Sequence, residues 1–179
     1  MAWPMNVRIG LYQVISRMDL TESLKEFRCL HQGAKAGTLG PPDLATYRAA
    51  RDKLARQILT AQHLALPPGK RQRRSLRVAR ALLLELEFED GTVRATTLQL
   101  SSGGLAALLA SAPQIGEVVK LSLGIPGGQP LQADARVVAV KEHLGNAMTS
   151  FQFLGLGEAE AERLEKFVFD AVLEYFGGA

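Results

Sequence analysis

The chain has 179 residues, 47% of them apolar and 22% charged, which describes a globular protein able to bury its own core and excludes a disordered one. Its net charge of +3 hides a polarised distribution: residues 70–80, KRQRRSLRVAR, carry six basic groups and no acid, whereas residues 81–179 sum to −7. No apolar run approaches the ~18–20 residues that cross a bilayer, the N-terminus lacks the pattern of a secretory leader, and the single cysteine, Cys29, excludes an internal disulfide and suits a reducing cytosol.

In chain order, residues 20–32 (LTESLKEFRCLHQ) place Leu20, Leu24, Phe27 and Leu30 at helical spacing. Cys29 within this pattern reads as a small buried apolar residue. Gly33, Gly37, Gly40 and the Pro41–Pro42 pair interrupt the helix. Asp43 is positioned to cap a second helix running to about residue 65. Tyr47, Leu54, Ile58, Ala61 and Ala65 form a heptad-like seam along it, with Arg51, Lys53, Arg56 and Gln57 opposite. The seam either packs on the chain's own first helix or pairs with a second copy. Pro67-Pro68-Gly69 then ends the helix and forms a hinge.

Beyond the hinge the period changes. Residues 81–88 and 92–100 read as strands joined at Asp90-Gly91, a strong hairpin signal. Residues 117–125 and 131–140 form a second pair around Pro126-Gly127-Gly128, and residues 147–154 a further strand. Leu131, Ala133, Ala135, Val137 and Ala139 alternate with Gln132, Asp134, Arg136 and Val138, which predicts one buried face. Many short strands at regular spacing predict a sandwich or barrel. A helix over 158–176 carries the stripe Leu164, Phe167, Val168, Ala171, Val172, Tyr175 and Phe176, with glutamates in its first turns, and is expected to close one end of the barrel.

Nothing in the chain pairs a nucleophile with a base. His31, His63 and His143 lie far apart in no metal-ligand spacing, and no phosphate-binding loop ends in Gly-Lys-Ser/Thr. No catalytic or metal-binding residue and no cofactor are expected. Two other features carry chemistry. The basic run is built from arginine, with Lys70 its one lysine, and arginine offers a planar fork that matches phosphate and stacks on flat rings. The segment QLSSGG, residues 99–104, ends a strand with hydroxyls, free N–H groups and a tight turn.

Taken in order, an Arg-x-x-x-Arg (Arg73 to Arg77), a strand pair, and a polar-x-Ser-x-x-Gly (Gln99 to Gly104) resemble the PilZ domain family of cyclic di-GMP receptors. The resemblance covers roughly residues 70–176 and implies a mainly β fold: a six-stranded antiparallel barrel with a C-terminal helix, here preceded by an α-helical hairpin. The expected organisation is a helical segment over 1–66, an Arg-rich linker over 67–80, and the barrel with its helix over 81–179. By position, Arg73 and Arg77 would clamp the dinucleotide's phosphates and stack on its guanines, Arg74 would assist, and Gln99, Ser101 and Gly104 would surround a guanine. Gln99 departs from the family's Asp or Asn: a neutral amide replaces a carboxylate that accepts from two guanine N–H groups, a loss of about 1–3 kcal/mol.

The implied function is a non-enzymatic cytoplasmic receptor that passes ligand binding to a protein partner or to its own oligomeric state through the N-terminal helices. The alternative is a PilZ-like barrel kept for protein contact, with Gln99 marking an eroded site. The acidic remainder of the chain and its eleven aromatics, with Trp3 the sole tryptophan, argue against nucleic acid as the partner.

Overall fold

The computed structural model describes the backbone of residues 5–64 and 73–177, and the side chains of residues 20–63 and 73–177. The chain divides into two units, Met1–Leu76 and Arg77–Ala179.

The first unit contains α1 (Met5–Ala36) and α2 (Pro41–Leu64). α1 does not stop at Gly33. It runs on to Ala36 and closes at Gly37, whose φ of 68° is the left-handed conformation glycine adopts without strain, with the Thr38 N–H donating to the Gly33 carbonyl at 3.1 Å. Pro41 and Pro42 do not precede α2 but form its first turn, where no intrahelical N–H bond is lost. Asp43 therefore sits inside the first turn, favourable to the helix dipole, and Gly40 accepts the first helical bond from Leu44 at 2.9 Å. The hinge and Ala65 lie outside the described residues.

The buried stripe of α1 is Ser23, Phe27, His31 and Ala34, while Leu20, Leu24 and Leu30 are half-buried. The stripe thus runs through polar residues that a purely apolar pattern passes over. Cys29 points away from it and is exposed, contrary to the expectation of burial. Against this stripe α2 sets Tyr47, Leu54 and Ile58, while Ala61 is exposed. The centre of the hairpin is aromatic. Phe27 stacks on His31 (centroids 5.1 Å apart) and on Tyr47 (5.6 Å), and His31 Nδ1 is hydrogen-bonded to the Tyr47 hydroxyl at 3.1 Å. The pair satisfies two polar groups that would each be costly to bury alone.

The second unit is a closed antiparallel barrel in the order β1-β2-β3-β6-β5-β4. Its strands are β1 (Leu83–Phe88), β2 (Gly91–Ser101), β3 (Gly104–Leu109), β4 (Val118–Leu123), β5 (Leu131–His143) and β6 (Asn146–Leu154). Closure leaves no edge. Leu84, Leu86, Leu100, Leu121, Leu123 and Phe151 fill the interior, each fully buried leucine stabilising by about 2 kcal/mol. β3 is the strand that residue patterning passes over. Gly104 to Ala107 and Leu109 are all buried, so no polar alternation marks it.

Two bulges set the phase of the strands. In β2 the register shifts between Thr97 and Gln99, and in β5 between Val137 and Ala139. The alternation expected over 131–139 therefore holds only to Val137. Beyond the bulge Ala139 turns outward and is exposed.

α3 (Glu158–Gly177) buries Leu164, Val168, Phe169, Ala171 and Val172, whereas Tyr175, expected in its stripe, is 79% exposed. Arg163, in its second turn, donates to the carbonyls of Gln129 at 2.5 Å and Ile125 at 3.0 Å, holding the β4–β5 turn. Glu174, near its other end, pairs with Arg80 just ahead of β1. The helix is thereby pinned to the barrel at both ends.

Candidate ligand-binding site

The end of β2 brings together four of the candidate residues, Arg77, Gln99, Ser101 and Gly104. An isolated antiparallel bridge joins Val78 to Leu100, with the Val78 N–H donating to the Leu100 carbonyl and the Leu100 N–H to the Val78 carbonyl, both at 2.9 Å. The residue before Val78 therefore stands across from the residue after Leu100: Arg77 across from Ser101. A position 22 residues ahead of Gln99 in sequence is set one strand spacing from the Ser-x-x-Gly turn.

Thr97 fastens the stretch that follows Arg77. Its hydroxyl donates to the Arg80 carbonyl at 2.6 Å and accepts from the Leu82 N–H at 3.0 Å, and its own N–H donates to the Leu82 carbonyl at 3.0 Å. Sequence inspection did not single out Thr97, because a threonine in a strand normally signals only strand propensity.

The β2 bulge decides which way the motif points. Thr97 is buried in the interior and Leu100 is buried in the interior, three positions apart instead of two. Leu98 absorbs the extra residue, so Gln99 and Ser101 turn to the outer face together. Gln99 is exposed. Ser101 is buried by the turn it closes, its hydroxyl donating to the Gly104 carbonyl at 3.0 Å.

Gly104 has a packing reason to be glycine. A Cβ there would lie 2.1 Å from the Phe151 carbonyl oxygen and 3.1 Å from the Gln152 Cα, so the backbone of β6 occupies the space. The neighbouring Gly103 is open, with nothing within 4 Å of an added Cβ, and its carbonyl accepts from the Phe153 N–H at 3.2 Å. The turn is thus bonded on both sides and bare on top.

The arginines of the basic run have different fates. Arg80 pairs with Glu174. Arg77 is exposed and has no ion pair or hydrogen bond among the described residues. Arg73 and Arg74 are exposed and belong to the first unit. The second unit by itself brings together Arg77, Gln99, Ser101 and Gly104. Lys70 and Arg71 lie outside the described residues. Among the described residues no group of His, Cys, Asp and Glu is placed to hold a metal ion, and no helix is long and apolar enough to cross a membrane.

Such an arrangement presents a cationic fork beside a side-chain amide, a closed serine turn and a bare glycine surface. It is chemically suited to a phosphate joined to a flat, hydrogen-bonding ring.

The PilZ domain family model matches residues 71–170. Among solved structures, the chain is similar to the Bacillus subtilis inhibitor of motility MotI/DgrA, with a TM-score of 0.53 and 18% identity over 60% of this chain and 56% of that one. It is similar to Escherichia coli YcgR in complex with c-di-GMP, with a TM-score of 0.53 and 23% identity over 59% of this chain and 48% of that one. It is also similar to the K. pneumonia MrkH–c-di-GMP complex, with a TM-score of 0.54 and 18% identity over 62% of this chain and 57% of that one. The likeness spans about half the length of those proteins and is one of fold. No curated protein matches the chain in sequence.

Proposed function

The chain belongs to the PilZ domain family, and from that premise we propose that it is a non-enzymatic receptor for cyclic di-GMP. The observation that carries this reading is the Val78–Leu100 bridge, which sets Arg77 across from Ser101, with Gly104 paired to Ser101 on its other side. Arg73, Arg74 and Arg77 supply the cationic forks for two phosphates, and their guanidinium planes stack on guanine. Gln99 and the Ser101–Gly104 turn face the guanine edge. Two of the similar structures were solved with c-di-GMP, which supports the same ligand class here.

Ligand binding is passed on through the helical segment to a protein partner or to a second copy. The unit boundary falls inside the Arg-x-x-x-Arg motif, between Leu76 and Arg77, so the motif belongs in sequence to both units. The lone cysteine is in keeping with a cytosolic receptor. Isothermal titration of the purified chain tests the reading. Micromolar or tighter binding by the wild type, abolished or strongly weakened in Arg77→Ala, is expected; no heat from the wild type overturns it. Light scattering with and without ligand reads the change of assembly.

One observation favours a second reading. Gln99, where the family has Asp or Asn, withdraws a charged acceptor from the guanine edge. A wild type that binds nothing, together with a Gln99→Asp variant that binds, would mark the barrel as an interaction module with an eroded site.

A further inference from the structure

The second unit contains five arginines, Arg77, Arg80, Arg94, Arg136 and Arg163. Three of them are engaged within the fold. Arg80 pairs with Glu174, Arg94 bonds Glu85 at 2.7 Å, and Arg163 holds the carbonyls of Gln129 and Ile125. Arg77 and Arg136 are exposed and have no partner among the described residues. Sequence position gives no reason to connect these two, which lie on opposite sides of four strands.

The strand registers connect them. Ser101 pairs with Gly104, Gly104 with Gln152, Gln152 with Arg136, and Arg136 with Val118. All belong to the outer face, because their neighbours Leu100, Leu105, Phe151, Val137 and Val119 are buried inside. Arg77, across from Ser101, begins this row, and Arg136 stands further along it. Arg77 and Arg136 are thus the two guanidinium groups of this row, neither with a partner among the described residues, and between them lies Gly104, which puts no side chain on the face. The β5 bulge lies between Val137 and Ala139, so Arg136 is the last outward-facing residue of β5 before the phase changes.

We propose that Arg136 is a further ligand-contacting residue, donating both arms of its guanidinium to the O6/N7 edge of a guanine that lies over Gly104. The inference rests on the cyclic di-GMP reading of the same site and adds base specificity to it. Arg136 is two strand spacings from Gly104, roughly 10 Å between backbones, a gap that a long arginine side chain and a purine ring fill together. A planar fork of donors matches the two adjacent acceptors of guanine and mismatches adenine, which presents a donor at the same place. Gln152, exposed, stands between Gly104 and Arg136 in the same row. Arg77 then serves the phosphate at one end of the row and Arg136 the base at the other.

The test is titration of the full chain with cyclic di-GMP and with its 7-deaza-guanine analogue, in which carbon replaces N7. Arg136→Ala is expected to weaken cyclic di-GMP about tenfold, within the range of a bidentate arginine–guanine contact, with the melting temperature unchanged because the side chain is exposed. Arg136→Lys keeps the charge, loses the fork and is expected to recover less than half of that loss on a logarithmic scale. With the 7-deaza analogue, wild type and Arg136→Ala are expected to differ by less than threefold. Wild-type affinity in Arg136→Ala, or an undiminished tenfold gap with the analogue, overturns the assignment while leaving the receptor reading intact. A wild type that binds no cyclic di-GMP overturns both.

Discussion

At the centre of the helical hairpin, polar side chains are used up inside the fold. His31 is bonded to Tyr47 and stacked against Phe27, and Arg51 lies 5.8 Å from the centre of the Tyr47 ring. Gln57 Oε1 is a buried exception, without a hydrogen-bond partner among the described residues. Along the row of the barrel's outer face that runs from Arg77 to Arg136 the reverse holds. Arg77, Gln99, Gln152 and Arg136 stand exposed around a glycine that cannot carry a side chain. Polar groups satisfied internally add to stability and specify a packing. Polar groups held at fixed spacing on a rigid sheet but left unpaired are available to a ligand, and their loss leaves the fold intact.

Five substitutions test that contrast, in order of expected effect. Gly104→Ala drives a Cβ into the Phe151 carbonyl and is expected to destabilise the barrel by about 3 kcal/mol in denaturant unfolding. A Gly104→Ala protein as stable as the wild type would break the assignment of this glycine to packing. Arg77→Ala is expected to leave the melting temperature in place and reduce cyclic di-GMP affinity about a hundredfold, the value of a charge-assisted phosphate contact; equal affinity by calorimetry would remove Arg77 from the site. Tyr47→Phe strands the buried His31 nitrogen and is expected to destabilise by about 1–2 kcal/mol, with ligand affinity unchanged. Any large affinity loss in Tyr47→Phe would erase the division between the two regions.

Gln99→Asp puts a carboxylate at the proposed guanine contact and is expected to tighten binding about tenfold; weaker binding would show that the amide is the better partner. The smallest effect is expected for Arg80→Ala. Its pair with Glu174 is solvent-exposed, so unfolding should report a loss of about 0.5 kcal/mol, and ligand affinity should hold. If Arg80→Ala weakened binding as much as Arg77→Ala, the basic run would act as a diffuse patch and not as selected residues.

Much of this architecture could be read from residue order. The Asp90-Gly91 turn, the glycine pair after Pro126 and the amphipathic stripe of α3 each rest on local chemistry, which sequence carries directly. β3 could not be read in that way. Its residues are buried on the outer as well as the inner side of the sheet, so polarity does not alternate, and only the resemblance to a barrel family supplied the sixth strand. The α1 stripe was obscured for a related reason. Ser23 and His31 are polar by type and buried by partnership, and a partner sixteen residues away on another helix leaves no periodic trace.

By itself the sequence determined the classes of residue available to the site: a run of arginines, a serine–glycine turn, and the amide at Gln99. Those are properties of side-chain chemistry and turn propensity, and they need no neighbours to be recognised. Which arginines are paired was decided by tertiary structure, since Arg80 meets Glu174 across 94 residues while Arg77 has no partner among the described residues. Which way the motif faces was decided there too. The bulge at Leu98 reverses the phase of β2, so that Thr97 enters the core and Gln99 and Ser101 turn outward. A bulge is one unpaired residue in a ladder, and the ladder exists only once both strands are in place.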